Sequence, residues 1–499
     1  MADANPDALS KFNFRPALWL DGRWLEDDAE RLAIHNPATG ATLTTIPLAG
    51  PSHFHQAIDG AQRAFEVWRE EPAAARGDVL KKIAATLTAR RSELAALLTS
   101  EQGKVLSQAM GEVDYAASFF LWFGEEARRL SGRIQPHPVR SREYHVRPVP
   151  AGVAGLVTPW NFPLAQGAKK LAAALAAGCT AVWKPSEFTP LVALVLGPIF
   201  KEAGLPDGAV QILPARGPVA GTALTDDARV RVLSLTGSTQ TGQTLMRAAA
   251  RHLPRLSFEL GGNAPFIVLP DADLDATAAD LVKLKLLCSG QVCVTANRIF
   301  VPASLEAAFA EKLAALWRPL RVGNGLAPGM DVGPLIHAKA CERVRALVDQ
   351  AVSAGAVQVA ENRGYASDSA LAKGSFFPPT ILRGVRDEMT LAQEEIFGPV
   401  AALLPYSDVP SAVRRANATP FGLAAYVYGT DLTQANAVAN ALDAGIIGVN
   451  EWRPLRAEIP FGGIKASGLG HEGGEEGLRE FCELKVIGTA TPALPVPPA

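Results

Sequence analysis

The sequence predicts an α/β protein organised on a parallel, doubly wound sheet. Three observations carry that prediction. From residue 151 onward, apolar runs of strand length (153–158, 180–183, 209–213, 230–235) alternate with helical runs (165–177, 191–203). Strands joined through helices take right-handed crossovers and lie parallel. The strand candidates end in short polar motifs, at the edge where such sheets hold their ligands. The 499 residues exceed what one core can bury, so two or three domains are expected.

Composition narrows the function. Apolar residues make up 48% and charged residues 20% of the chain, an ordinary balance for a globular enzyme. A net charge of −2 and a pI near 6.5 argue against a nucleic-acid partner. Five scattered cysteines, without a C-x-x-C pair or a His/Cys cluster, indicate neither a disulfide framework nor a metal site. A reducing, cytoplasmic setting fits them. No signal peptide is evident in residues 1–14. The longest apolar run, 171–183, is too short to span a bilayer, so no membrane partner is expected. The tail 491–499 carries four prolines and reads as a loose end.

Taken in order, residues 17–48 read as short strands, with a turn at Asn36-Pro37-Ala38-Thr39-Gly40. Residues 52–130 read as successive helices, including one continuous run over 73–98. Phe119, Phe120, Trp122 and Phe123 fall on one helix, as a core stripe or as the wall of a substrate tunnel. Residues 139–149 alternate and are heavily charged, so they read as a projecting hairpin whose edge needs a partner or blunting charges.

The strand 180–183 ends in Lys184-Pro185-Ser186-Glu187, and the strand 230–235 runs into Thr236-Gly237-Ser238-Thr239-Gln240-Thr241-Gly242. The second motif has nearly the spacing of a P-loop, but Gln243 stands where the phosphate-reaching lysine belongs. NTP hydrolysis is therefore disfavoured, while a helix N-terminus with Ser238 still suits a pyrophosphate. Glu187 suits a ribose diol and would repel a 2′-phosphate, which points to NAD over NADP. Lys184 can reach the same ribose. From spacing alone, a solvated loop pair is the plainer reading of Lys184 and Glu187.

The catalytic signal is Ser289-Gly290-Gln291-Val292-Cys293, between a helical run (271–287) and a strand (299–301). Cys293 thus sits on a loop that can face a cleft, and Gly290 permits close backbone approach. Upstream, Glu259 precedes Gly261-Gly262 and the strand 265–269. A thiol and a carboxylate able to swing are the parts of covalent acyl chemistry with a hydrolytic second step. A lone cysteine is more often a small buried hydrophobe, and both readings stand on this evidence.

With these motifs placed, the chain resembles the NAD(P)-dependent aldehyde dehydrogenase superfamily over residues 20–488. The likeness rests on Pro159-Trp160-Asn161-Phe162-Pro163, Lys184-Pro185-Ser186-Glu187, Thr236-Gly237-Ser238-Thr239, Glu259-Leu260-Gly261-Gly262 and Gly290-Gln291-Val292-Cys293. It continues through Gly333-Pro334-Leu335-Ile336, Glu394-Glu395-Ile396-Phe397-Gly398-Pro399 and Pro460-Phe461-Gly462-Gly463. The resemblance implies a Rossmann-like cofactor domain (1–130 and 150–260), an α/β catalytic domain (261–466) and a small β oligomerisation arm (131–149 and 477–491). It implies a homodimer or homotetramer, the arm meeting a partner near 484–487. It implies that Cys293 is the nucleophile, Glu259 the base, and Asn161 with the Cys293 amide the oxyanion donors. Lys170 and Glu472 would be further polar residues of the centre. The cofactor, NAD with NADP as the alternative, would be held by Thr158, Trp160, Lys184, Ser186, Glu187, Gly237, Ser238, Glu395 and Phe397. The relatives that pass the acyl group to coenzyme A lack the glutamate at position 259, so its presence favours hydrolysis.

Within the superfamily, Asn263-Ala264-Pro265-Phe266-Ile267-Val268, Val449-Asn450-Glu451 and Ser467-Gly468-Leu469-Gly470 look most like succinate-semialdehyde dehydrogenases. That group clamps its substrate carboxylate with two arginines and a serine. Those positions here hold Lys169, Leu287 and, nearby, Leu455, and Thr295 replaces a second cysteine beside the nucleophile. Arg453 and Arg456 offer a substitute clamp for a semialdehyde. With both facing solvent, Phe162, Phe461, Leu287 and Leu455 would make a pocket for an apolar or aromatic aldehyde. A nucleotide-binding protein that kept the fold without activity is the non-enzyme reading.

Overall fold

The computed structural model describes residues 7–27, 29–139, 141–361 and 369–490, and the tail 491–499 lies outside them. Among these residues the strands form sheets of eight, seven, three and two strands. The eight-stranded sheet has a parallel centre in the spatial order Arg255–Glu259, Val230–Thr236, Val153–Val157, Thr180–Lys184, Val210–Ile212. The chain builds outward from Val153–Val157 in one direction, then returns to add Val230–Thr236 and Arg255–Glu259 on the other side. The strand order therefore reverses between Val153–Val157 and Val230–Thr236. That is the topological switch point, where an open α/β sheet leaves a crevice at its carboxyl edge. Helices cover both faces, so the central strands are nearly continuous apolar runs rather than alternating ones. All five residues of Thr180–Lys184 are buried.

The seven-stranded sheet is parallel except for its edge strand Val357–Glu361. The chain passes from one sheet to the other over the short span between Arg255–Glu259 and Pro265–Val268. Glu259 and the two glycines after it thus lie where the sheets meet.

Two local expectations changed. The run 73–98 is two helices, Ala73–Ala89 and Arg91–Gln102, broken at Arg90. The run 191–203 is also two, Leu191–Leu194 and Leu196–Ala203. Pro198 cannot donate to the Leu194 carbonyl and its ring crowds that oxygen, which ends the first helix there. The segment 484–487 lies in the strand Cys482–Ala490, which pairs antiparallel with Arg142–Pro150 of its own chain and is itself an edge strand of that sheet. Arg133–Pro136 completes this three-stranded sheet, while Arg140 is outside the described residues.

The aromatic helix resolves as core. Phe119, Phe120 and Phe123 on Leu106–Glu126 are buried against the wholly buried helix Pro163–Ala177. Tyr115, one turn earlier, reaches a cavity.

Candidate active site

Cys293 sits on the loop between the helix Leu274–Leu286 and the strand Arg298–Pro302. The helix begins where the Asp273 carboxylate accepts hydrogen bonds from the amides of Asp275 and Ala276. After it, Cys288 and Ser289 hold left-handed dihedrals (φ 51° and 56°), which is strained for residues carrying a Cβ. At Gly290 (φ 77°) a Cβ would stand 2.2 Å from the Gly398 carbonyl oxygen. A Cβ on Gly262 would stand 2.4 Å from the Cys293 carbonyl oxygen. Both glycines are therefore demanded by close backbone approach, and the loop is clamped between the 262 and 398 segments.

Cys293 lines two cavities at once. The first, about 360 Å³, lies at the switch point and is walled by Trp160, Asn161, Gly237, Ser238, Gly261, Arg343, Glu395 and Phe397. The second, about 60 Å³, is walled by Tyr115, Phe162, Lys169, Leu287, Tyr426, Trp452, Arg453, Leu455 and Phe461. A wider surface groove of about 680 Å³ near His55 and His252 is lined by none of these motifs and by no cysteine.

In the first cavity, Ser238 caps the helix Thr239–Ala249 by accepting from the Thr241 amide at 3.2 Å. Phe397 has φ 55° and meets Trp160 edge-on at 5.4 Å. Its strained turn is held by Arg343, which donates to the carbonyls of Ile396 (2.9 Å) and Glu395 (2.7 Å). Burial raises the Glu395 carboxyl to about 7. Thr158, Lys184, Ser186 and Glu187 do not line this cavity. The Thr158 hydroxyl accepts from the Trp183 indole, and Ser186 accepts from the Phe188 amide. Lys184 pairs with Glu187 at 2.6 Å. Lys184 is 5% exposed, so the pair is not simply a solvated loop. Glu187 opens onto a neighbouring hollow with His35, Arg216 and His337.

Around the sulfur, burial first and Glu395 second push the Cys293 thiol up to about 12, against the pull of Lys169. Glu259 is 2% exposed, and neither carboxyl oxygen accepts a hydrogen bond among the described residues. Burial, then the charge of Glu472, holds its carboxyl well above the usual range. Glu472 is the opposite case: burial pushes it up, but Lys170 and Lys169 outweigh that and hold it low. Lys170 donates to Glu472 and to Ser234 (2.9 Å), while Lys169 stands 3.4 Å from Glu472 and 3.7 Å from the Phe461 ring centre. The Asn161 side-chain amide donates to the Gln291 carbonyl at 2.9 Å, and Asn161 lines the first cavity together with Cys293.

In the second cavity Arg453 makes no ion pair among the described residues and lies 5.9 Å from the Tyr115 ring centre. Arg456 does not join it: it is exposed and donates to the Leu455 carbonyl. Thr295 is turned away, donating to the Leu284 carbonyl. Sequence reasoning missed Tyr115, Gln166, Tyr426, Trp452 and Arg343. Tyr115 had a usable signal, the i,i+4 spacing to Phe119. The others had none. It also missed Lys285, fully buried and without a hydrogen-bond partner among the described residues, whose amine burial pushes down to about 7.

A family model, the aldehyde dehydrogenase family, matches residues 24–487. The chain belongs to the aldehyde dehydrogenase family. The dehydrogenase is 42% identical over 475 residues to a glutarate-semialdehyde dehydrogenase of Pseudomonas putida, covering 95% of this chain and 98% of the relative. It is 42% identical over 459 residues to a probable NADP(+) succinate-semialdehyde dehydrogenase of Sinorhizobium fredii, covering 92% of each. A solved betaine aldehyde dehydrogenase of Staphylococcus aureus, in complex with NAD+, matches with a TM-score of 0.94 at 32% identity, covering 98% of each chain. The dehydrogenase is thus an oxidoreductase that oxidises aldehydes with a nicotinamide cofactor. No helix among its described residues is long and apolar enough to cross a membrane.

Proposed function

We propose that the chain oxidises a short aldehyde bearing a distal carboxylate, of the succinate- or glutarate-semialdehyde kind. The observation that carries this reading is the placement of Cys293 between two cavities, one of them presenting Arg453, which has no carboxylate partner among the described residues. The relatives' semialdehyde names agree with it.

The first cavity suits a dinucleotide: a Ser238-capped helix start, a glycine wall and the Trp160–Phe397 contact supply phosphate donors and an apolar end. Bound there, a nicotinamide ring would accept a hydride. The chain's own residues do the rest. The Cys293 sulfur forms a bond to the aldehyde carbon, its proton leaving to a base. The new oxyanion takes hydrogen bonds from Asn161 and the Cys293 amide, one such donor being worth about 3–4 kcal/mol in the transition state. Loss of hydride leaves a thioester on Cys293. Glu259 swings in, takes a proton from water, and the hydroxide displaces the thiolate to release the acid.

A guanidinium and a carboxylate in a partly dry pocket make a charge-assisted, often bidentate bond. Succinate semialdehyde should therefore exceed butanal in kcat/KM, and Arg453→Ala should narrow the gap by about 10–100-fold, equivalent to about 1.5–3 kcal/mol. Arg456→Ala should leave it open. An acid with no advantage in the wild type would favour the second reading, an apolar or aromatic aldehyde, which the lining Phe162, Leu287, Leu455 and Phe461 supports.

Glu187 makes NAD the preferred cofactor, by repelling a 2′-phosphate while Lys184 holds the ribose. Glu187→Ser should erode the NAD/NADP ratio of kcat/KM, and an enzyme that prefers NADP as purified contradicts this. The three larger sheets support a division into cofactor domain, catalytic domain and arm, with Gly468–Leu469 crossing back to the first of them. The exposed Leu484, Val486 and Ile487 on the edge strand Cys482–Ala490 favour a homodimer or homotetramer. Five free cysteines suit a reducing cytoplasm.

A further inference from the structure

The run 101–112 joins the helices Arg91–Gln102 and Leu106–Glu126 and belongs to neither catalytic motif. Its polar side chains nevertheless reach both halves of the active centre. Lys104 donates through Nζ to the Asn161 carbonyl oxygen at 2.7 Å and to Glu112. It also stands 3.8 Å from the Phe162 ring centre. Glu112 Oε1 accepts from the amides of Leu164 (2.9 Å) and Ala165 (3.2 Å). These amides open the helix Pro163–Ala177, whose own N-cap, Phe162, has no side chain able to cap it. On the other side, Gln108 accepts from the Cys288 amide at 2.8 Å, and Gln102 donates to the Cys288 sulfur at 3.2 Å.

Both side chains of the Lys104–Glu112 pair are 0% exposed. Burying an ion pair is expensive and is a poor way to gain stability, because an apolar pair of the same volume does as well or better. The pair therefore calls for a reason other than stability. What its free hydrogen-bonding positions reach is the backbone of residues 161–165. The side-chain amide of Asn161 leaves from that backbone, so the position of its N–H is set by where the segment is held.

We propose that Lys104 and Glu112 are positioning residues for aldehyde oxidation. They fix the segment 161–165 so that the Asn161 amide meets the oxyanion formed on Cys293. The inference rests on the reading of Asn161 as oxyanion donor. Lys104 and Glu112 touch no substrate in this arrangement and act through Asn161 alone.

A double-mutant cycle tests it, with the pre-steady-state burst of NADH on mixing enzyme, NAD and succinate semialdehyde as the readout. Lys104→Met combined with Glu112→Gln removes both charges while keeping volume and an acceptor for the helix amides. In the Asn161 background the burst rate should fall about 10–100-fold, the usual effect of a misplacement of about 1 Å. KM and the NAD dissociation constant should stay within about two-fold. In an Asn161→Ala background the same two changes should slow the burst less than about two-fold, since residues acting through one group are not additive. An undiminished burst, or equal fold losses in both backgrounds, overturns the inference. If Asn161→Ala alone slows the burst and the pair does not, only the positioning role falls. If Asn161→Ala leaves the burst unchanged, the oxyanion reading falls and takes the positioning role with it. Should the double variant fail to fold, Lys104→Arg carries the same cycle. It keeps the charge but moves the donor, so it should slow the burst only when Asn161 is present.

Discussion

Cys293→Ala should lose aldehyde oxidation by at least about 10⁴-fold while still binding NAD, because covalent catalysis fails outright without its nucleophile. NADH absorbance reads the first quantity and quenching of tryptophan fluorescence by NAD the second. Undiminished turnover would remove the mechanism altogether. The same thiol carries a pH signature. Its pKa, raised by burial and Glu395 to about 12, favours the protonated form throughout the neutral range. Only the thiolate reacts with iodoacetamide, and its fraction grows tenfold per pH unit below the pKa. Alkylation of Cys293 in the absence of cofactor should therefore rise about 100-fold from pH 7 to pH 9. Peptide mapping separates it from Cys341, which is also partly exposed. A plateau within that window would mean a thiol acidified by something other than the surroundings described above.

Glu259→Gln should give a burst of about one NADH per site and then stall. Bond formation to sulfur and hydride loss do not use Glu259 as the deacylation base, whereas release of the acid does. Steady-state kcat should fall about 10²–10⁴-fold, the usual worth of a positioned general base. The sign of the pH effect follows from its environment. A carboxyl held well above its ordinary range, here by burial and then by the charge of Glu472, becomes a base at higher pH than an ordinary carboxylate does. Turnover limited by deacylation should therefore climb with pH in the wild type, and the climb should vanish in Glu259→Gln. Loss of the burst along with turnover would instead place Glu259 earlier, at deprotonation of Cys293.

Glu259 also shows why the acid is built into so awkward a position. A carboxyl with no hydrogen-bond partner among the described residues, buried at 2% exposure, is disfavoured where it stands. Next to Gly261 and Gly262 the backbone can release it. Position and unease together are what a swinging base requires, and an acid locked into an ion pair, such as Glu472 with Lys170, would lack both.

Much of the fold was readable from local pattern. Alternation of strand and helix periods anticipates parallel pairing with right-handed crossovers, but that Val230–Thr236 joins Val153–Val157 rather than Val210–Ile212, which creates the switch point, was decided by the tertiary structure. Turn chemistry around Gly290 and Gly262 likewise marks where backbone must approach backbone. The breaks at Arg90 and near Val195 were less legible. The second has a local cause in Pro198, while nothing in the structure explains the first beyond the dihedrals of Arg90.

What the sequence by itself determined is the inventory and its order: a loop thiol, an acid before two glycines, an asparagine after a strand, a helix start for phosphate. These depend on neighbours within a few residues, and local stereochemistry is written locally. Only the tertiary structure decided which groups meet. It turned Arg453 into the cavity and left Arg456 in solvent, three positions on. It seated Lys104 beneath Asn161, and it paired Cys482–Ala490 with Arg142–Pro150 of the same chain. Such choices depend on segments tens to hundreds of residues apart burying apolar surface together. A side chain's direction is fixed by that packing, and no short-range spacing encodes it.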